Sequence, residues 1–309
     1  WNNNYYTDLV GGQHATVTCD ATTNFQPRAK QLRPLIRGAR LLALNSPLNP
    51  TGTLMDAESL ADICDMVLEE NARRGPDERP LFLLYDQVYW MLTFGGAEHA
   101  DPVSLRPDMA AYTVLVDALS KAFAATGLRV GWAAGPADVI SRMADVSSHV
   151  GAWAPRAEQI ATTKFLANDS AIADYHEWML PQVQRRLSAL ADAIHAMREE
   201  GLPVDCTEPQ GAIYLSAQFA LHGARTPEGK TLGTNDDVRR YLLEAAGMAA
   251  VPFQAFGAAG ETGWFRLSVG AVSMPQIDAM LPRLRAAIDA LEFPVGSSAG
   301  MKDPGLEGP

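Results

Sequence analysis

Nowhere in the 309 residues does an apolar run approach eighteen residues, so no membrane-spanning helix is expected. Cysteine is scarce. Cys19, Cys64 and Cys206 are widely spaced and odd in number, which argues against a disulfide frame or a zinc site. They fit reduced thiols in a cytoplasmic protein. The six histidines show no ligand spacing, and no metal site is expected. Positive charge is in deficit, with 25 Lys and Arg against 36 Asp and Glu and a net charge of −11. That balance argues against nucleic acid or an anionic membrane surface as a partner. No internal repeat is visible.

What is present is an ordinary globular composition, 47% hydrophobic and 20% charged, with ample material for a core. The length suits one large and one smaller domain. Three apolar runs, ending near Leu44, Tyr85 and Val116, read as buried strands, and helical stretches lie between them. Strands alternating with helices predict an α/β sheet, mostly parallel and covered by helices on both faces. Each run delivers polar groups at its carboxyl end: Asn49 in a turn rigidified by Pro47, Pro50 and Gly52, then Asp86 and Tyr89, then Ser120 and Lys121. Open α/β sheets bind ligands along that edge. Taken singly, each residue has a plainer explanation. Lys121 could be a solvated loop lysine, Asp86 a helix cap or salt-bridge partner, and Asn49 part of a simple turn.

The rest of the chain gives coarser expectations. Residues 15–19 read as a short strand and 27–36 as a helix. Asp56 is placed to cap a helix ending near Arg73 and Arg74. A second short strand starts at Arg129. Helices are expected from Pro136 to about Val146, over 159–166, and over 171–200 with Pro181 as a kink or break. Residues 211–216 and 264–269 read as strands, the latter carrying Arg266, with a short strand over 248–251. Helices are expected over 238–246 and 274–291. Residues 293–309, rich in Gly, Pro and Ser, read as a disordered tail.

Four segments in one order carry a resemblance. Residues 45–52 (Asn-Ser-Pro-Leu-Asn-Pro-Thr-Gly), the Asp86-x-x-Tyr89 pair, Ser120-Lys121 with Arg129 and Gly131 downstream, and Phe265-Arg266 resemble the motifs of fold-type I pyridoxal-phosphate aminotransferases of class I/II, the aspartate/aromatic type. The first motif departs by Ser46 inserted before the first proline. The resemblance spans about residues 1–291. It implies a large domain over 1–185, a smaller α+β domain over 186–292 and the tail beyond. It implies pyridoxal 5'-phosphate (PLP) held as an internal aldimine on Lys121, which also moves the substrate proton. Asp86 would keep the ring nitrogen protonated, Asn49 and Tyr89 would bond the phenolic oxygen, and Trp1 would stack on the ring or serve as a core aromatic. Ser120 and Arg129 would hold the phosphate, with Gly127 and Gly131 clearing space beside Arg129. Arg266, otherwise a strand arginine in a surface ion pair, would hold the substrate α-carboxylate. Ala118 stands where the family often has a phosphate-binding serine.

The activity so implied is amino transfer from an L-amino acid to a 2-oxo acid by a ping-pong route, in a homodimer. A lyase or an aminocyclopropane-type synthase would use the same frame. A non-catalytic PLP-binding regulator module or an inactive fragment is the reading from another class. Against the family pattern, the segment that precedes Trp1 in such enzymes is expected to be lacking.

Overall fold

A computed structural model describes residues 2–294; Trp1 and most of the expected tail lie outside the described residues. The chain divides into two compact units. The first comprises the residues up to Gln182 together with Gln210–Ala212; the second comprises Val183–Pro209 and the chain from Ile213 onward. The crossing lies three residues before the division expected at residue 185, inside one continuous helix.

The first unit is built on a four-stranded sheet in sequence order: β1 (Leu41–Asn45), β2 (Phe82–Asp86), β3 (Thr113–Ala118) and β4 (Gly131–Ala134). β1, β2 and β3 run parallel, and β4 returns antiparallel to β3. Register aligns Asn45 with Asp86, and Asp86 with Val116, so the carboxyl ends of the three parallel strands come level at one edge. Alternation along β2 decides the faces. Leu83 and Tyr85 are fully buried, whereas Phe82, Leu84 and Asp86 are half-buried.

Among the described residues, eight α-helices accompany this sheet: α1 (Asn2–Leu9), α2 (Ala29–Leu32), α3 (Ala57–Arg73), α4 (Pro102–Leu105), α5 (Leu119–Ala122), α6 (Ala137–Val150), α7 (Arg156–Leu166) and α8 (Asp169–Glu199), the last of which continues into the second unit. Asp56 caps α3 by accepting from the Ser59 amide at 2.7 Å, and its apolar stripe of Leu60, Ile63, Met66 and Val67 packs in one core with Leu83 and Tyr85. Burying each of these side chains contributes roughly 1.5–3 kcal/mol. Cys64 lies in that core, where burial pushes its thiol up to about 12. Gly131 owes its identity to strand pairing. A Cβ there would meet the Asp117 carbonyl oxygen at 2.9 Å and Ala118 Cβ at 3.1 Å. This replaces the expectation that Gly131 opens room for a ligand.

Three other expectations are corrected. Residues 15–19 form no strand; no neighbouring strand pairs with them, and most of them face solvent. The helix expected over 27–36 is one turn, α2, because Pro34 and Gly38 stop it. Pro181 does not break the helix, since α8 runs through it.

The second unit has its own antiparallel sheet, ordered β5 (Val204–Cys206), β6 (Tyr214–Phe219), β8 (Trp264–Ser268), β7 (Val251–Pro252). β6 and β8 form its centre, with Phe219 and Phe265 fully buried and edge to face. α9 (Asn235–Tyr241) continues as a π-turn to Ala246, and α10 (Met274–Asp289) buries Ile277, Leu284 and Ile288. Cys206 is buried too, and its thiol is likewise raised to about 12 by burial.

The end of α3 carries a buried ion pair. Arg74 Nε meets Glu70 Oε1 at 2.9 Å, and the same guanidinium donates to the carbonyls of Ala39, Ile36 and Arg79. Arg73 adds two bonds to Glu70. The bond from Arg73, ahead of the Arg74 bond and the two guanidinium charges, holds the Glu70 carboxyl down at about 2. A Glu70→Ala chain is expected to lose on the order of 3 kcal/mol in chemical denaturation, because Arg74 then stays buried without its anion. Glu70's contribution is present above the ordinary glutamate pKa and lost as pH falls through about 2. The gap between wild type and Glu70→Gln therefore narrows between about pH 4.5 and pH 2.

Candidate active site

The carboxyl edge of the first sheet is assembled from three short connections. After β1, Ser46 is buried and its Oγ accepts from the Met55 amide at 3.0 Å, so the inserted residue closes the turn on itself. Asn45 Oδ1 accepts from the Asn49 amide at 2.9 Å, while Asn45 Nδ2 donates to the Asp86 carbonyl at 2.7 Å. The Asn49 turn is thereby fixed to the end of β2. Gly52 takes φ 73°, which the turn requires and which a side chain would resist.

After β2, Asp86 Oδ1 accepts from the Val88 amide at 3.1 Å. Among the described residues no cation pairs with it. Burial, opposed only by the Val88 bond, raises its carboxyl above the usual aspartate range. A half-buried carboxylate with no counter-charge is the partner that a protonated ring nitrogen requires. Tyr89 follows, a buried residue only 3% exposed.

After β3, Lys121 lies in the single-turn α5 with its Nζ 5.7 Å from the centre of the Tyr89 ring. The backbone beyond it is held from outside: His176 of α8 approaches the Ala122 carbonyl at 3.0 Å, and Phe123 packs on Phe165 and His176. Thr126 Oγ1 donates to the Ser120 carbonyl, and Arg129 donates to the Thr126 carbonyl at 3.0 Å, closing the loop. Arg129 is exposed and sits at φ 57°, a conformation costing a residue with a side chain roughly 1–2 kcal/mol. Such strain concentrates at ligand clamps. No atom lies within 4 Å of where a Gly127 Cβ would be, so that side of the loop is open.

Arg266 lies in the second unit, on β8 between Ser216 of β6 and Val251 of β7. Its guanidinium carbon lies 4.8 Å from the Tyr214 ring centre and 4.7 Å from that of Phe256. Two aromatic faces thus orient the cation. Trp1 lies outside the described residues.

Two residues at the edge have no role assigned from the sequence. Asn45 joins two motifs through its carboxamide. Asp117 is buried, accepting from Trp90 Nε1 at 2.9 Å and from the Ala118 amide at 2.7 Å. Burial chiefly, and the Asp86 charge in smaller part, raise its carboxyl as well. An acidic residue ending an otherwise apolar strand was the signal available.

This arrangement can be set beside known proteins. A family profile described as "Aminotransferase class I and II" matches residues 4–284. The chain belongs to that family. Among its relatives, an aspartate aminotransferase of Rhizobium meliloti (strain 1021) is 33% identical over 291 residues, covering 93% of this chain and 66% of that protein. One from Geobacillus stearothermophilus is 30% identical over 293 residues, covering 91% and 66%. The chain thus spans about two thirds of the length of the curated relatives it matches. Among solved structures, the Rhizobium meliloti aspartate aminotransferase superposes with a TM-score of 0.81 at 30% identity, over 93% of this chain and 67% of that one. An aromatic aminotransferase from Pyrococcus horikoshii OT3 gives 0.77 at 28%, over 91% and 68%. The class I and II aminotransferases work with PLP, and the cationless Asp86 and the open loop at Gly127 and Arg129 fit that group's ring nitrogen and phosphate.

The raised Asp86 has a measurable cost. Its folded form holds a proton to higher pH than the unfolded chain does, so stability falls as pH rises through the window above the ordinary aspartate value. In thermal melts without cofactor, Asp86→Asn is expected to match or exceed wild type at pH 7. The difference should close as pH drops below about 4, where the wild-type carboxyl is protonated in both states.

Proposed function

We propose that the protein is a PLP-dependent aminotransferase, moving an amino group from an L-amino acid to a 2-oxo acid by a ping-pong route. The observation that supports it best is Lys121 at the end of β3, beside Tyr89, on the edge that also carries a carboxylate without a cation. When bound, PLP supplies an electron sink and a carbonyl that accepts the amino group.

The chain's own residues would do the rest. Lys121 Nζ would anchor the cofactor, then take the proton from the substrate α-carbon and deliver it two atoms further along, to the carbon that was the cofactor's aldehyde. Asp86 keeps the ring nitrogen charged, and the pairing lowers its own carboxyl from the raised value. Asn49 and Tyr89 donate to the phenolic oxygen. Ser120 and Arg129 hold the phosphate, the arginine by its planar, always-charged fork. Arg266 grips the substrate carboxylate, and its aromatic neighbours keep the fork in one plane. Holding that carboxylate aligns the bond to be broken.

A homodimer is part of the proposal. α6 is amphipathic and none of its described residues is buried; Val146 and Val150 are 62% and 68% exposed, with Met143 and Trp153 nearby in sequence and also exposed. An apolar face of that kind favours a second copy over solvent. No helix among the described residues is long and apolar enough to cross a membrane, and a cytoplasmic location is proposed with the activity.

Adding PLP to the purified protein should give a visible absorbance band that Lys121→Ala lacks. An L-amino acid should bleach it, and a 2-oxo acid should restore it. Turnover in Lys121→Ala should fall at least 10²–10⁴-fold. Restoration without any 2-oxo acid, with ammonia released, would assign a lyase instead. Light scattering should give twice the chain mass, and Val146→Glu with Val150→Glu should return it towards one.

A further inference from the structure

Three residues of the first unit come from far along the chain. Gln210–Ala212 is flanked on both sides by residues of the second unit yet belongs to the first. Its contacts go to two places. Gln210 Oε1 accepts from the Leu54 amide at 3.1 Å and from Asn24 Nδ2 at 2.8 Å, and the Gly211 amide donates to the Gly52 carbonyl at 2.9 Å. These bonds hold the connection that carries Asn49. The Gln210 carbonyl accepts from the Phe94 amide at 2.9 Å, and the Ala212 amide donates to the Leu92 carbonyl at 2.8 Å. These hold the connection that carries Tyr89.

The fit leaves no slack. A Cβ on Gly211 would lie 2.4 Å from Leu54 Cδ1, 2.8 Å from Pro47 Cβ and 3.0 Å from the Leu92 carbonyl oxygen, so both connections press on one glycine. Ala212 is fully buried at φ 58°. A non-glycine residue persists there only when its surroundings over-determine it. The strap is therefore pulled into place by its bonds. They are neutral, so their hold does not depend on pH. Each contributes modestly, and a buried donor left without its acceptor costs more than the bond itself contributes.

We propose that Gln210–Ala212 is a positioning strap that fixes the Asn49 and Tyr89 connections relative to each other, and so sets the two donors that act together on one cofactor oxygen. This rests on the proposed cofactor reading of Asn49 and Tyr89. Gln210 and Gly211 touch neither cofactor nor substrate in that reading; they act through the two connections. Gln210→Leu removes the shared acceptor, and Gln210→Glu keeps an acceptor oxygen in its place.

The test has two arms. In the cofactor-free protein, amide hydrogen exchange is followed at residues 50–54 and 90–94. Gln210→Leu should exchange about tenfold faster or more in both stretches, with β6 and β8 unchanged and Gln210→Glu close to wild type. In the PLP-loaded protein, the pH midpoint of the visible band is titrated. Gln210→Leu should displace it in the same direction as Tyr89→Phe, and Gln210→Glu should restore it. Unchanged exchange in Gln210→Leu overturns the strap while leaving the cofactor reading intact. Faster exchange with an unmoved midpoint, where Tyr89→Phe does move it, makes the strap structural only and overturns the proposal. A wild type without a lysine-dependent band overturns the cofactor reading and the positioning role with it, and the exchange arm still reports whether the strap holds the two connections.

Discussion

The candidate site depends on one carboxamide. Asn45 is the last residue of β1, level with Asp86 across the sheet. By donating to the Asp86 carbonyl and accepting from the Asn49 amide it joins the end of one strand to the turn after its neighbour. An amide is suited to this because it donates and accepts from the same plane, in opposite directions. A carboxylate there could only accept, and it would add a third negative charge to an edge already holding Asp86 and Asp117. The close placement of Asn49, Asp86 and Lys121 follows from parallel strands whose ends are kept level in this way.

Electrostatics at that edge is unbalanced by design of the sequence. Asp86 and Asp117 are both raised by burial, and the Asp86 charge adds to the rise at Asp117. Asp117 relieves its own case through the Trp90 indole and the Ala118 amide. Asp86 has only one backbone donor. Taking an ion out of water costs several kcal/mol after relaxation, and no cation among the described residues offsets that cost at Asp86. The same contrast separates the two arginines. Arg129 is exposed and strained, whereas Arg266 is bracketed by two rings.

Much of this could be read from the sequence. Uninterrupted apolar runs ending in polar residues located β1, β2 and β3, although β1 proves only half-buried, with Leu41 exposed. Asp56 announced the start of α3. The motif residues Asn49, Asp86, Tyr89 and Lys121 all fall on one edge. Residues 15–19 misled because alternation alone does not supply a pairing partner. Gly131 misled because the approach that demands a glycine is made by β3 backbone and not by a ligand. Gln210 was silent because its meaning lies in Leu54, 156 positions away. No local pattern encodes a contact of that separation. Trp90 was silent for the same reason at shorter range, its partner Asp117 lying 27 positions away.

The two buried thiols carry a practical consequence. Cys64 and Cys206 are both pushed up to about 12, so neither offers appreciable thiolate at neutral pH. Cys19 is raised less and lies partly open to solvent. A thiol-directed label applied to the folded chain therefore has one preferred point of attachment. Cys19 lies one residue before the Asp20-capped turn that leads to Asn24, and Asn24 bonds Gln210. Without engineering, the protein carries a handle for a spectroscopic reporter five residues along the chain from Asn24, one of the strap's partners.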